Sequence, residues 1–571
     1  MKKRIAIIGG GPAALFLFKH FVEANRSDLS IDIFERSGEL GSGMPYSEEG
    51  ANTEHITNVS GNEIPELNKP LVDWIKTLPD PELTKYGIER EKFHEYQVLP
   101  RLLFGRYLHD QFESFIEEAD NQGVTTTIHL HSRVTDIIDV PEKGEVIITV
   151  NDQDTYNFHR AVICTGHKWP VKYEGKIDQY FDSPYPPQKI KLQLDHEVAI
   201  TGSSLTAIDA IRTLARMNGK FIKKEKHQLE FILNKESANL KIVMHSLQGL
   251  LPAIRFHLED THLSADSLLS EEEIAAHRKQ NNGFLSLDFI FEKDFREPLR
   301  EKDPKFYEQI KDMMMEEFVE KMMSYREEMD PFVLFKKEYR EAAQSIKNEE
   351  SVHWKEKLAT LSFAMNYPAK HFSAEDMLRL KKVLMPLISV VIAFVPQSSC
   401  EEMIALHESG CLQLVDVNEE SHVEPHPEGG IIYHLSNGNG HSKSKRYKTY
   451  IDGKGQPQLM IDDFPFKSLV KNGTVSEARL AFRSPACAVE LMEQGDKQVE
   501  EQDSGIYYLK VPGIGIADNF RVYQKDGKLN DRIYVMAVPY IGGFNPDYSG
   551  LDFCEEASSI VIKDLLESMD Q

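Results

Sequence analysis

The stretch Arg4-Ile5-Ala6-Ile7-Ile8-Gly9-Gly10-Gly11-Pro12-Ala13-Ala14 decides how this chain is read. Its apolar run, Ile5 to Ile8, breaks into three glycines. Leu15-Phe16-Leu17-Phe18 and His20-Phe21-Val22 then follow with helical character. A second apolar run, Ile31-Asp32-Ile33-Phe34, ends on Glu35. Strand, glycine turn, helix, strand and acid in this order predict a βαβ unit of the dinucleotide-binding kind.

Each position has a physical task in such a unit. Gly9 permits the tight turn out of the strand, and Gly11 lets backbone approach a pyrophosphate where a Cβ would collide. A helix starting near Pro12 and Ala13 aims its N–H groups and positive dipole end at the phosphates. Proline suits the first helical position, where a missing N–H costs nothing. Ala14 stands where a third glycine is usual. Glu35 is placed to accept hydrogen bonds from ribose hydroxyls, with Arg36 beside it. The other reading of the triplet is a purely structural turn.

The chain has 571 residues, enough for two or three domains and a large core. Its formal net charge of −25 argues against nucleic acid or an anionic membrane as partner, since either wants a basic face. The densest basic patch, Lys220 with Lys223-Lys224-Glu225-Lys226, reads as a solvated loop. Five cysteines at 164, 400, 411, 487 and 554 include no Cys-x-x-Cys pair. That spacing excludes a redox dithiol and any obvious zinc or other metal site, and suggests free thiols in a reducing compartment. Met1-Lys2-Lys3-Arg4 reads as the approach to a first strand, not a signal peptide. The longest apolar stretch, Val383 to Val395, contains Pro386 and is too short to span a bilayer. A cytoplasmic protein is expected.

Further along, Gly41-Ser42-Gly43-Met44-Pro45-Tyr46 is a flexible loop, and His55 to Ser60 a short polar–apolar segment. Phe93 to Leu108 reads as a helix with its approach, Pro100-Arg101 lying near its start. Val124 to Leu130 alternates like a strand. Val134 to Val140, Glu145 to Val150 and Tyr156 to His159 suggest an antiparallel meander, followed by Arg160-Ala161-Val162-Ile163-Cys164-Thr165-Gly166-His167. A buried strand closing on Thr165-Gly166 is the usual end of the first lobe in flavoproteins with two dinucleotide sites.

The pattern then restarts. Glu197 to Thr201 is a strand, Gly202-Ser203-Ser204-Leu205-Thr206-Ala207 a turn, and Ile208 to Met217 a helix. Ser204 stands where the second glycine belongs; its Cβ would crowd a pyrophosphate, while its hydroxyl could donate to a phosphate. The next strand, Leu240 to His245, leads into Ser246-Leu247-Gln248-Gly249, where NADPH enzymes often carry an arginine. A nicotinamide site and a scaffold that has lost its ligand are both compatible with this pattern.

Residues 255–395 are charged, Met-rich and helical by period. Phe306, Ile310, Met313 or Met314, and Val319 share a face that packs as core or lines an adaptable pocket. Leu384 to Phe394 suits a buried helix or a strand. Strand patterning returns at Gln413 to Val417, Gly430 to Leu435 and Tyr447 to Ile451, with a turn at Asn437-Gly438-Asn439-Gly440. Asp452-Gly453-Lys454-Gly455-Gln456 closes this lobe much as Thr165-Gly166 closes the first. A last strand, Arg532 to Val538, is followed by Pro539, Gly542-Gly543 and a helix from about Cys554 to Leu566.

Taken together, the chain resembles the bacterial FAD-NAD(P)-binding family of two-lobed flavoproteins. It is more distantly similar to class B flavin monooxygenases and N-hydroxylating amine monooxygenases. The carriers are Gly9 to Ala14, Glu35, Gly41 to Tyr46, His55 to Val59, Pro100-Arg101, Gly105 to Leu108, Gly202 to Asp209, Ser246 to Pro252, Asp452 to Gln456 and Gly542-Gly543. The resemblance implies an α/β fold of two Rossmann-like dinucleotide-binding domains, three-layered, with a helical insertion. Residues 1–190 and 461–571 would form the FAD-binding domain, 191–254 and 396–460 the NAD(P)-binding-like domain, and 255–395 the insertion, a possible substrate lid.

The same resemblance implies FAD as cofactor and NAD(P)H as electron donor. Gly9, Gly11, Pro12, Ala13, Ala14, Glu35, Arg36, Ser42, Arg101, Val134, Thr165, Gly166, Gly542 and Gly543 would line the FAD. Gly202, Ser203 and Ser204 would line the nicotinamide nucleotide. Asn58 sits where related monooxygenases place a polar group near the flavin, the one candidate for a catalytic role; a turn asparagine satisfying its own backbone reads equally well. The expected function is an FAD-dependent oxidoreductase that passes electrons to O2 or a small-molecule substrate, a monooxygenase being one form. The alternatives are a non-catalytic FAD-binding redox sensor or interaction protein with a degenerate nicotinamide site, and an NAD-only dehydrogenase with the nicotinamide in the first site.

Overall fold

The computed structural model describes residues 2–224, 229–259, 268–436, 442–502, 505–546 and 550–570. The expected turn at Asn437 to Gly440 and the Glu225-Lys226 end of the basic patch lie outside them.

Two open sheets carry the molecule. β1 (Lys3–Ile8), α1 (Pro12–Ala24) and β2 (Leu29–Phe34) form the opening βαβ unit, with β1 and β2 parallel and in register from Lys3↔Leu29 to Ile8↔Phe34. Both faces of β1 are covered, so Ile5, Ala6 and Ile7 are fully buried, as a parallel sheet between helices requires. α2 (Arg101–Gln122) leads to β3 (Thr125–His129). A three-stranded meander follows, β4 (Val134–Val140), β5 (Glu145–Val150) and β6 (Asp154–Phe158), and then β7 (Arg160–Ile163).

The second sheet is parallel throughout. It comprises β8 (Tyr180–Phe181), β9 (Glu197–Thr201), β10 (Lys241–Leu247), β11 (Leu412–Val417) and β12 (Thr449–Asp452), ordered β8-β12-β9-β10-β11. α3 (Leu205–Asn218) connects β9 onward. The chain then returns to the first sheet through β13 (Arg521–Tyr523) and β14 (Leu529–Val535), completing the order β13-β14-β7-β1-β2-β3. α4 (Leu551–Asp570) closes the chain against α1, and Glu555 holds the buried Lys19 at 2.9 Å.

Helices from Glu271–Gln280 to Gln397–Glu408 occupy the middle of the chain. They share the cores of both lobes. Phe291, Phe318, Leu361 and Ile388 pack in one cluster with Ile5 and Phe104, whereas Phe332 and Phe335 pack with Ile200 and Met244. Leu384 to Phe394, compatible with helix or strand, is helical over Met385–Val391 and packs between other helices. The Met stripe is interrupted, because one helix stops at Ile310 and the next starts at Met315. Met315 is therefore buried and Met314 exposed. Tyr447 to Ile451 is split between two strands, Ser442–Tyr447 and Thr449–Asp452, that belong to different sheets. The final helix starts at Leu551, three residues before the expected Cys554.

Candidate functional site

The two sheets present the same turn twice. In the first, Gly9 N–H donates to Phe34 O at 2.9 Å, Cys164 N–H donates to Ile8 O at 2.8 Å, and Leu15 N–H donates to Gly11 O at 3.1 Å. In the second, Gly202 N–H donates to His245 O at 2.8 Å, Gly453 N–H donates to Thr201 O at 2.8 Å, and Ile208 N–H donates to Ser204 O at 3.0 Å. Gly9 has φ +99° and Gly202 φ +101°, a region that L side chains rarely adopt. A Cβ on Gly9 would stand 2.9 Å from Cys164 O, and one on Gly202 2.8 Å from Gly453 O. Each turn is thus pinned under the backbone that closes its own lobe.

The repeat makes Ser204 the counterpart of Gly11. Their backbones agree closely: φ −81°, ψ −163° at Gly11 and φ −88°, ψ −167° at Ser204. Both are N-caps of long helices, and neither makes a side-chain cap bond. Ser204 is exposed, and its backbone keeps the conformation of Gly11 without distorting the turn.

Around the first turn, Pro12 opens α1, Ala13 is half-buried and Ala14 fully buried. A Cβ on Gly11 would lie 3.4 Å from Gly43 Cα, so the Gly41 to Tyr46 loop faces the turn. Glu35 is turned onto backbone: Oε2 accepts from Gly10 N–H at 2.7 Å and Oε1 from Ser37 N–H at 2.7 Å. Ser42 is buried and donates to Glu39 at 2.7 Å. Arg36 is exposed and paired with Glu49. Val134 begins the meander opposite Val150.

At the C-terminal return, Gly542 has open space where a Cβ would stand, as does Gly166. Gly543 is different: its Cβ would stand 2.4 Å from Pro512 O, so its smallness serves packing on the Tyr507–Ile514 strand. Asn58 lies in the strand Ile56–Ser60, and its carbonyl accepts from the buried Arg255. Nearby, Gly61, Glu95, Tyr96, His257 and Glu259 line a polar cleft of about 420 Å³.

Arg101 departs most from expectation. Its guanidinium reaches the second lobe, donating to Asp209 Oδ2 at 2.5 Å and to Ile56 O at 3.1 Å. Tyr185 Oη donates to the same Asp209 oxygen at 2.8 Å. Burial alone would raise the Asp209 carboxyl, but the Arg101 guanidinium and His55 reverse this and hold it below its usual value. His55 is buried beside them, its pKa lowered chiefly by desolvation. Its Nδ1 accepts from Asn52 N–H at 3.1 Å, which places the proton on Nε2, 3.2 Å from Asp209 O and 3.1 Å from Thr213 Oγ1.

The two crossovers between lobes are also joined. Gln456 accepts from Lys168 N–H and donates to Lys168 O, both at 2.7 Å. Within the same crossover Thr165 Oγ1, His167 Nδ1 and Trp169 Nε1 are buried and find no hydrogen-bond partner among the described residues. Three such atoms in five residues are costly unless something satisfies them.

Residues 6–168 match the family model described as FAD-NAD(P)-binding. This match falls within the first lobe. Residues 270–392, the middle helices, match the YdhS-like middle domain. The uncharacterized protein YdhS of Escherichia coli (strain K12) is 27% identical over 561 residues, covering 97% of this chain and 96% of that protein. Among solved structures, the Kutzneria sp. 744 ornithine N-hydroxylase is 12% identical with a TM-score of 0.49, covering 99% of each chain. L-lysine 6-monooxygenase from Pseudomonas syringae is 13% identical with a TM-score of 0.46, covering 100% of each.

The FAD that this family implies fits the first lobe. Its turn leaves backbone exposed at Gly11, Gly166 and Gly542 offer open space, and Thr165 Oγ1 waits for a partner. Sequence reasoning missed His55, Asp209 and Tyr185 as a joint unit, and the buried His167 Nδ1 and Trp169 Nε1. Asp209 is 108 residues from Arg101 and 154 from His55, a separation at which no local pattern carries a signal.

Proposed function

We propose that this protein is an FAD-dependent oxidoreductase, with FAD in the first lobe and a nicotinamide dinucleotide in the second. The observation that carries the reading is the duplicated turn. Two helix N-termini, α1 behind Gly11 and α3 behind Ser204, would present first-turn N–H groups and positive dipole ends to two diphosphates. A protein that only stored a flavin would need one such turn.

Bound FAD would supply the redox chemistry, accepting a hydride and delivering electrons to O2 or to a small-molecule substrate. The chain's own residues bind and orient. Gly9 and Gly11 with the end of α1 would hold the diphosphate, and Glu35 would turn from Gly10 to the ribose. Thr165, Gly166 and Gly542 would border the ring system. His167 and Trp169 would offer hydrogen bonds at the junction, His167 as a neutral imidazole because burial lowers its pKa. Monooxygenation of a small-molecule substrate is one use of this site.

Purified protein mixed with NADH or NADPH under anaerobic conditions tests the reading. The visible flavin band should bleach and return on admitting air. A yellow protein that never bleaches with either donor refutes the enzyme and favours a flavin-binding sensor. A colourless protein refutes FAD in the first lobe.

A further inference from the structure

The duplicated turn also permits a residue-by-residue reading of the second site, resting on the nicotinamide assignment just proposed. Ile8 pairs with Phe34 where the first strand ends, and Thr201 pairs with His245 in the second lobe. The residue after Phe34 is Glu35; the residue after His245 is Ser246. Both contact the middle of their turn, Glu35 through Gly10 N–H and Ser246 through Ser203 Oγ at 2.8 Å.

Ser246 cannot take over what an acid does at that place. It is buried, and its hydroxyl donates to Leu250 O at 2.6 Å. Ser203 Oγ lies 2.8 Å from the same carbonyl and 2.8 Å from Ser246 Oγ, its one proton serving one contact or the other. The two serines therefore fasten the turn to the segment after β10 and bring no carboxylate to a ribose.

A carboxylate nevertheless stands beside the position, from the neighbouring strand. Asp416 lies opposite Ser246 in the β10–β11 register. Its Cβ and Cγ lie 3.4 and 3.6 Å from where a Cβ on Gly249 would be, so the exposed side chain flanks the loop after β10. Glu419 and Glu420 follow on the same strand end.

The loop itself, Leu247-Gln248-Gly249, carries no cation. Arg326 approaches from the middle helices, but it is buried and committed to Glu338 at 2.8 Å and to Leu251 O. Lys454 stands at the other crossover, facing Asp452.

We propose that the second lobe takes NADH in preference to NADPH, with Asp416 in the role of the missing acid. An unphosphorylated ribose would donate its 2′-hydroxyl to the carboxylate, whereas a 2′-phosphate would meet like charge with no cation in the Leu247-Gln248-Gly249 loop to pair it.

The test uses the FAD-loaded protein and titrates NAD+ and NADP+ by calorimetry, alongside anaerobic flavin bleaching by NADH and NADPH. NAD+ should bind at least about tenfold more tightly than NADP+, with bleaching by NADH saturating at correspondingly lower concentration. Asp416→Asn should weaken NAD+ and narrow the ratio; Gln248→Arg should strengthen NADP+ and leave NAD+ nearly unchanged. Equal or tighter binding of NADP+ overturns the inference while leaving the nicotinamide reading intact. An unchanged ratio in Asp416→Asn overturns the role of Asp416. Binding and bleaching by neither pair, in a protein that holds FAD, overturns the nicotinamide reading and this inference with it.

Discussion

At the scale of single residues, the glycines of the first lobe divide by the neighbour a side chain would meet. Gly9 combines a positive φ with the Cys164 carbonyl 2.9 Å from its missing Cβ. Gly9→Ala should therefore cost about 1–3 kcal/mol of stability from backbone strain alone. It should also lower FAD retention, because the turn must open. Gly542 has neither constraint in the protein itself. Gly542→Ala should unfold at the wild-type denaturant midpoint and still retain less FAD, since its methyl would enter the space assigned to the cofactor. Denaturant unfolding and the FAD-to-protein absorbance ratio separate the two effects; equal retention in Gly542→Ala and wild type would remove Gly542 from the site. Gly9 was legible in the sequence because a strand must be left within one residue. Gly543 was not distinguishable from Gly542 in the same way, since what decides it is Pro512, on a strand that only the tertiary fold brings alongside.

At the scale of elements, β10 shows how a strand's setting fixes chemistry that its pattern leaves open. Leu240 to His245 reads as buried strand, and His245 could have been surface, ligand or core. The structure stacks its ring on Tyr433 at 4.0 Å between centroids. Nδ1–H donates to Ile200 O at 3.3 Å, and Nε2 accepts from Tyr447 Oη at 3.4 Å. Burial, opposed only weakly by the backbone hydrogen bonds, pushes its pKa down to about 4. The folded state holds the neutral ring, whereas the unfolded chain takes up a proton near the ordinary value of 6.5. The contribution is thus fully present above about pH 6.5 and is lost as pH falls towards 4, amounting to about 3 kcal/mol over that window. His245→Asn should be less stable than wild type at pH 7.5, yet lose less stability between pH 7 and pH 5. Parallel slopes for the two proteins in denaturant titrations would show that His245 titrates at its ordinary value in the folded protein. The same strand explains a limit of the sequence reading. Gln248 and Leu247 announced the lack of arginine, but the acid that flanks them comes from β11, some 170 residues later in the chain.

At the scale of the whole molecule, the lobes are held by two zipped crossovers and by one buried knot of charge. Asp209 sits on α3 of the second lobe, and Arg101 opens α2 of the first. His55 and Tyr185 complete the knot, and Gln456 ties the crossovers. The resemblance places Arg101 along the cofactor; in the structure its guanidinium pairs with Asp209 of the other lobe. Taking two charges out of water is repaid only while both remain, so losing one partner is costlier than losing both. Asp209→Leu should leave the buried Arg101 guanidinium uncompensated and cost about 3–5 kcal/mol. Arg101→Met should cost a comparable amount through the stranded Asp209 carboxylate. The double variant should recover most of either loss, a coupling that a double-mutant cycle reads directly. The knot is also where the lobes join, so either single variant should split one unfolding transition into two, the second-lobe sheet melting apart from the first. Simple additivity with an unchanged single transition would mean that the shared cores of the middle helices, and not this pair, hold the two dinucleotide turns in place.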